Sequence, residues 1–250
     1  MYEKIIVSGD VIEVYTYEHL NTKCLRDMNE VAKGEGIDSI VNYRRRQDIR
    51  RANIRRLICQ NFVSNGSKFL TLTFRDNDEF DIKNVKECNK EFKKFIQRLK
   101  YYLGKNHPDL KLKYVSVVEF QDKNDRGAVH YHMICNLPFI YSSTLSDLWE
   151  NGFVKINRID KVDNLGAYVI KYMTKDNLDE RLQGIKAYNC SKGLIRPTEY
   201  KSWEDGRYSD MVCLKERNKL SEKKAVYFAE YDSENSGHIT YTQYNLNRND

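Results

Sequence analysis

The sequence predicts an α+β protein with a central antiparallel sheet and helices packed on it. Three observations carry that expectation. Short segments rich in β-branched and aromatic residues alternate in polarity, as half-buried strands do. Two of them, LKYVSVVEF (112–120) and AVHYHMIC (128–135), are separated only by the polar stretch QDKNDRG (121–127), which reads as a hairpin loop. Between the strand-like segments lies one stretch, about 83 to 103, in which Val85, Cys88, Phe92, Phe95, Ile96, Leu99, Tyr102 and Leu103 recur at helical spacing.

Taken in chain order, KIIV (4–7) and VIEVYTY (11–17) open the protein as strands around a turn at Gly9 and Asp10. An arginine-rich segment follows, helical in pattern, with Ile54, Leu57 and Ile58 as its apolar edge. KFLTLTF (68–74) alternates and reads as a strand, and the amphipathic helix and the hairpin come next. Leu145, Leu148 and Trp149 belong to a short helix expected to stop at Gly152. FVKINRI (153–159) is another strand, and DNLGAYVIKYMTKD (163–176) is helical in pattern. The stretch 177–220 is polar and turn-rich, and AVYFAEY (225–231) with HITYTQY (238–244) forms a final hairpin around DSENSG. The resulting division is an N-terminal extension over 1–64, a core over 65–200 and a C-terminal extension over 201–250.

A chain of 250 residues is long enough for a substantial core, and 31% charged residues make it polar for its size. No apolar run approaches the ~20 residues of a membrane span. The first residues lack the basic segment and apolar stretch of a secretion signal. The six cysteines, at 24, 59, 88, 135, 190 and 213, form no C-x-x-C pair and read as reduced thiols. A cytoplasmic location is therefore expected. The net charge of +6 is mild, but its distribution is not. Arg44, Arg45, Arg46, Arg50, Arg51, Arg55 and Arg56 crowd one segment with only Asp48 among them. Such a cluster repels itself without a polyanionic partner, and nucleic acid supplies one. The 18 tyrosines suit surfaces on which bases stack.

His130 and His132 lie one residue apart in a strand and so share a face with Ala128 and Ile134. Glu119, near the end of the preceding strand, joins them if the hairpin sets it opposite His130; a one-residue slip sends it to the other side. Two imidazoles and a carboxylate suit a divalent cation, with zinc, manganese and magnesium all compatible with the ligand types. On the helical stretch 163–176, Tyr168 and Tyr172 are four residues apart and project together, with Lys171 and Lys175 beside them. A phenol with a pKa near ~10 is a poor nucleophile at neutral pH, and nearby ammonium groups favour its phenolate.

In combination, these motifs resemble the HUH endonucleases, and more narrowly the rolling-circle replication initiators of phages, plasmids and mobile elements from Gram-positive hosts. FLTLTF stands where that family has its first motif, VVEFQDKNDRGAVHYHMI where it has its metal motif, and GAYVIKYMTKD where it has its tyrosine motif. AYNCSKGLIRP (187–197) and the arginine-rich segment are similar to those of the Gram-positive initiators. The resemblance implies an antiparallel, ferredoxin- or RRM-like sheet with the His-x-His strand at its middle. It implies a site-specific nick in single-stranded or hairpin origin DNA, a covalent 5′-phosphotyrosine and a free 3′-hydroxyl that primes synthesis. Carried over, His130, His132 and Glu119 would be ligands of Mn²⁺ or Mg²⁺. Tyr168 and Tyr172 would supply the nucleophile, either one alone or both in alternation, and Lys171 and Lys175 would orient phosphate or assist proton transfer.

Arg44 to Arg46, Arg50, Arg51, Arg55 and Arg56 are expected on DNA. No G-x-x-x-x-G-K-[ST] loop occurs, so a fused helicase of that kind is not expected, and unwinding and synthesis would fall to the bacterial host's helicase and polymerase. Alternatives with the same residues are a conjugative relaxase or a transposase. A non-catalytic DNA-binding protein and a hydrolase using activated water are alternatives of other classes.

Overall fold

The alternating segments pair into two antiparallel sheets, and four helices accompany them among the described residues, so the α+β class read from the sequence holds. The structure is a computed structural model describing residues 2–19, 37–76, 78–122, 125–159, 162, 164–172, 180–182, 184–185, 188–202, 220, 223–233 and 236–248, with backbone alone at 37–47 and 180. The chain divides into two units, 47–194 and the combination of 1–46 with 195–250.

The larger unit is built on a sheet of order β6-β3-β5-β4-β7. Its strands are β3 (Lys68–Thr73), β4 (Tyr114–Gln121), β5 (Ala128–Cys135), β6 (Val154–Arg158) and β7 (Tyr188–Cys190). The histidine strand β5 lies in the middle. On one face, Tyr131 and Met133 of β5 join Leu70, Leu72, Val118 and Phe120 in a core closed by α2 (Val85–Asn106) and α3 (Ser142–Trp149). α2 presents Val85, Cys88, Phe92, Phe95, Ile96, Leu99 and Leu103 inward, matching the apolar spacing in the sequence. Asn84 caps it by accepting from the Lys86 amide at 3.0 Å. α3 ends at Glu150, which takes the left-handed conformation at φ 64°, two residues before the glycine expected to stop it. Gly152 serves a different need: a Cβ there would meet Thr73 O at 2.4 Å, so it lets the start of β6 pass close against β3.

The opposite face carries Phe69, Val115, Val117 and Ile134. It is covered by Ile54, Leu57 and Ile58 of α1 (Ile37–Asn61) and by Leu165 and Val169 of α4 (Leu165–Ile170). This is the face of the two histidines.

The second unit is a sheet of order β8-β1-β2-β10-β9, formed by β1 (Tyr2–Ser8), β2 (Val11–Tyr17), β8 (Thr198–Lys201), β9 (Tyr227–Ser233) and β10 (Gly237–Asn245). Both expected terminal hairpins form. The division at 64 and 200 does not coincide with these units, because β2 pairs with β10 along its whole length. The two ends of the chain are therefore one sheet, and α1 from Gln47 onward belongs with the core. Within 177–220, read from the sequence as turns, the structure adds β7 to one sheet and β8 to the other. No described helix is long and apolar enough to cross a membrane.

Candidate active site

The site is built around His130 and His132 of β5 by the pairing of its two neighbours. Glu119 of β4 and Thr73 of β3 lie opposite His130, and Val117 and Thr71 lie opposite His132. Side chains alternate across a sheet, so this register puts Glu119, Gln121, His130, His132, Thr71 and Thr73 on one face. The register that brings Glu119 to the histidines, open in the sequence, is the one found.

His132 is buried, with 5% of its surface exposed. Its Nε2 lies 2.5 Å from Glu119 Oε2 and its Nδ1 lies 3.2 Å from Thr71 Oγ1. A carboxylate accepts only, so His132 donates from Nε2, and its Nδ1 shares a hydrogen bond with the Thr71 hydroxyl. Phe69 packs nearly parallel to the imidazole, with ring centroids 5.6 Å apart.

His130 is set differently: its Nε2 is 2.8 Å from Gln121 Oε1, and its ring centroid is 6.4 Å from that of His132. Burial first, then the neighbouring His132, depress the His130 pKa to about 4; Glu119 pulls it the other way and Arg126 adds to the depression. His130 is therefore neutral at neutral pH, with a lone pair available. Arg126 binds the same Gln121 oxygen at 2.7 Å. Thr71, Gln121 and Arg126 were not singled out in the sequence; Gln121 shares the parity of Glu119 in β4, which was the available signal.

The tyrosines come from α4 and the turn after it. Asn164 caps the helix, accepting from the Ala167 amide at 2.8 Å, and the Cys59 thiol of α1 donates to the same oxygen at 3.3 Å. Gly166 lets the helix lie directly on α1, since a Cβ there would stand 2.3 Å from Arg55 O. The helix thus projects Tyr168 and Tyr172 over the histidine strand. The Tyr172 ring stacks on His132 with centroids 4.3 Å apart, and both phenols pack on Phe69 at 5.3 and 5.2 Å. The Tyr172 hydroxyl donates to the Tyr168 hydroxyl at 3.5 Å. Lys171 Nζ sits 4.0 Å from the centre of the Tyr168 ring and 5.2 Å from that of Tyr172. Burial pushes the Tyr172 hydroxyl up to about 12, and the Tyr168 hydroxyl and the Glu119 charge add to the rise.

The structure therefore brings Glu119, His130, His132, Tyr168, Lys171 and Tyr172 to one face. Lys175 lies outside the described residues. Arg44, Arg45 and Arg46 lie in α1 with their side chains undescribed, and Arg50, Arg51, Arg55 and Arg56 follow on the same helix, half-buried. As the side chains stand, no three His, Cys, Asp or Glu among the described residues converge as a metal centre, because His130 turns to Gln121 while Glu119 is taken by His132. No curated protein and no solved structure matches this chain. Its residues 67–177, which hold every described residue of this site, are similar to the family of the replication-associated protein ORF2.

Proposed function

We propose that this protein nicks and rejoins single-stranded DNA at a replication origin by the tyrosine chemistry of the HUH endonucleases, and so initiates rolling-circle replication. One observation carries the reading: two phenol hydroxyls, 3.5 Å apart, stand beside an imidazole–carboxylate pair on which one phenol ring is stacked at 4.3 Å. The likeness to replication-associated proteins supports the substrate class. In this reaction a tyrosine Oη gives up its proton to a neighbouring base or water and forms a bond to the phosphorus. The phosphorus–O3′ bond breaks, and the 3′ oxygen takes up a proton as it leaves. The phosphotyrosine ester retains the energy of the cut bond, so a 3′-hydroxyl can reverse the step.

The donor set fits a divalent cation such as Mn²⁺ or Mg²⁺. By residue type it offers a carboxylate and two imidazoles, one held neutral by burial; the other would have to exchange its Nε2 hydrogen bond to Glu119 for the ion. Glu119, His130 and His132 would hold the ion. Bound there, it supplies Lewis-acid withdrawal of charge from the phosphodiester. Lys171, beside both phenols, favours the phenolate that burial and Glu119 oppose. Lys175 is assigned the same class of role on its sequence position. The α1 arginines contact backbone phosphate, which positions DNA without selecting its sequence. Partners are then origin DNA in single-stranded or hairpin form and a bacterial host's helicase and polymerase.

The test uses single-stranded oligonucleotides tiling the DNA that flanks the protein's own gene, with Mn²⁺. The expected result is a protein–DNA adduct that survives denaturation, accompanied by a free 3′-hydroxyl. Cleavage without an adduct would point to activated water instead, and binding without cleavage to a non-catalytic DNA-binding protein; either result overturns the reading.

A further inference from the structure

Gln121 ends β4 and faces the same way as Glu119. Its Oε1 lies 2.8 Å from His130 Nε2 and 2.7 Å from Arg126 Nη1. A guanidinium has donors only. The Gln121 atom facing it is therefore the amide oxygen, since the flipped amide would set N–H against N–H. An amide oxygen carries no proton, so His130 must donate from Nε2 and keep its lone pair on Nδ1. Arg126 is itself anchored at the end of β3, where its Nη2 donates to Phe74 O at 2.7 Å and to Asp76 Oδ1 at 3.1 Å. One guanidinium thus ties β3 to β4 and passes that restraint through an amide to an imidazole on β5.

We propose that Gln121 and Arg126 are positioning residues: Arg126 orients the Gln121 amide, and Gln121 fixes the tautomer and ring orientation of His130. Outer-shell acceptors fix imidazole ligands in this way in metal sites generally, and losing one typically weakens metal binding by ~10–100-fold. The value of the pair to the site rests on the cation reading above. Its effect on the ring does not, because the contacts are made between protein groups alone. A pair that merely braced the hairpin would leave the tautomer of His130 untouched when removed.

The experiment is histidine-ring ¹⁵N–¹H NMR on metal-free full-length protein, with Mn²⁺ affinity measured in parallel from the EPR signal of the free ion. In the wild type His130 is expected with its proton on Nε2. Gln121→Leu removes the acceptor at similar size, and Arg126→Leu releases the amide to flip. Both are expected to give a mixture of tautomers at His130 while His132 stays as it is, and to weaken Mn²⁺ about 10-fold or more. Gln121→Glu keeps an acceptor and is expected to keep the proton on Nε2. If Arg126→Leu fails to fold, Gln121→Leu alone decides.

An unchanged His130 tautomer in Gln121→Leu overturns the proposal. So does an unchanged Mn²⁺ affinity in a variant whose tautomer has shifted. A wild type that binds no Mn²⁺ sinks the cation reading separately, and the tautomer result then judges the pair by itself.

Discussion

His130 and His132 stand on one strand with a single residue between them, yet they have different partners, and that difference sets their chemistry. His132 is held between a hydroxyl and a carboxylate, while His130 faces an amide and is kept uncharged by burial. The folded pKa of about 4 lies below the ordinary 6.5, so between those values the unfolded chain binds a proton that the folded one refuses. Stability from this group is therefore complete above about pH 6.5 and is lost as pH falls toward 4. Partial solvent exposure reduces the loss to about 2 kcal/mol at most. Urea unfolding at pH 7 and pH 4.5 should show this drop, and His130→Gln should flatten it; an equal drop in the variant contradicts the assignment. That both imidazoles share a face was legible from strand period alone. The company each keeps was not, because Gln121, Thr71 and Arg126 reach them through pairing partners that the local sequence does not name.

At the scale of elements, the tyrosine helix is placed by two contacts with α1. Gly166 allows the backbones to touch, and Asn164 caps the helix while accepting the Cys59 thiol. Gly166→Ala would push a methyl group into the Arg55 carbonyl, and an overpacked contact of this kind costs ~1–3 kcal/mol. Because α4 must shift to relieve it, adduct formation should fall more than stability predicts. Asn164→Ala should cost ~1 kcal/mol in thermal or urea unfolding. Full adduct yield in Gly166→Ala would mean that the helix position does not matter. The helices α2 and α4 and the strand pair β4–β5 were readable because each carries its own periodicity. The register of that pair was not, since a loop as long as 121–127 permits more than one offset. β7 and β8, three and four residues long, leave too little pattern to detect.

For the molecule as a whole, the sheet made from both chain ends was the feature the sequence concealed. β2 and β10 are more than two hundred residues apart, and no local signal joins them. The unit 47–194 has its own core on both faces of its sheet. It should therefore unfold cooperatively as an isolated fragment, followed by circular dichroism against urea; a broad, non-cooperative transition would show that it depends on the remainder. α1 carries Arg50, Arg51, Arg55 and Arg56 within that unit. Reversing the charge of Arg50 and Arg56 together should weaken single-stranded DNA binding and lower the slope of log affinity against log salt by about 1–2. An unchanged slope removes α1 from the DNA-binding surface.

The proposed chemistry depends most on which atom becomes joined to DNA. Mass spectrometry of the nuclease-trimmed adduct formed with Mn²⁺ reads that atom directly. The expected result is a nucleotide on Tyr168 or Tyr172 and none in the Tyr168→Phe/Tyr172→Phe double variant, while the two single Phe variants show whether one tyrosine or both serve. An adduct on any other residue, or one that survives in the double variant, would contradict it.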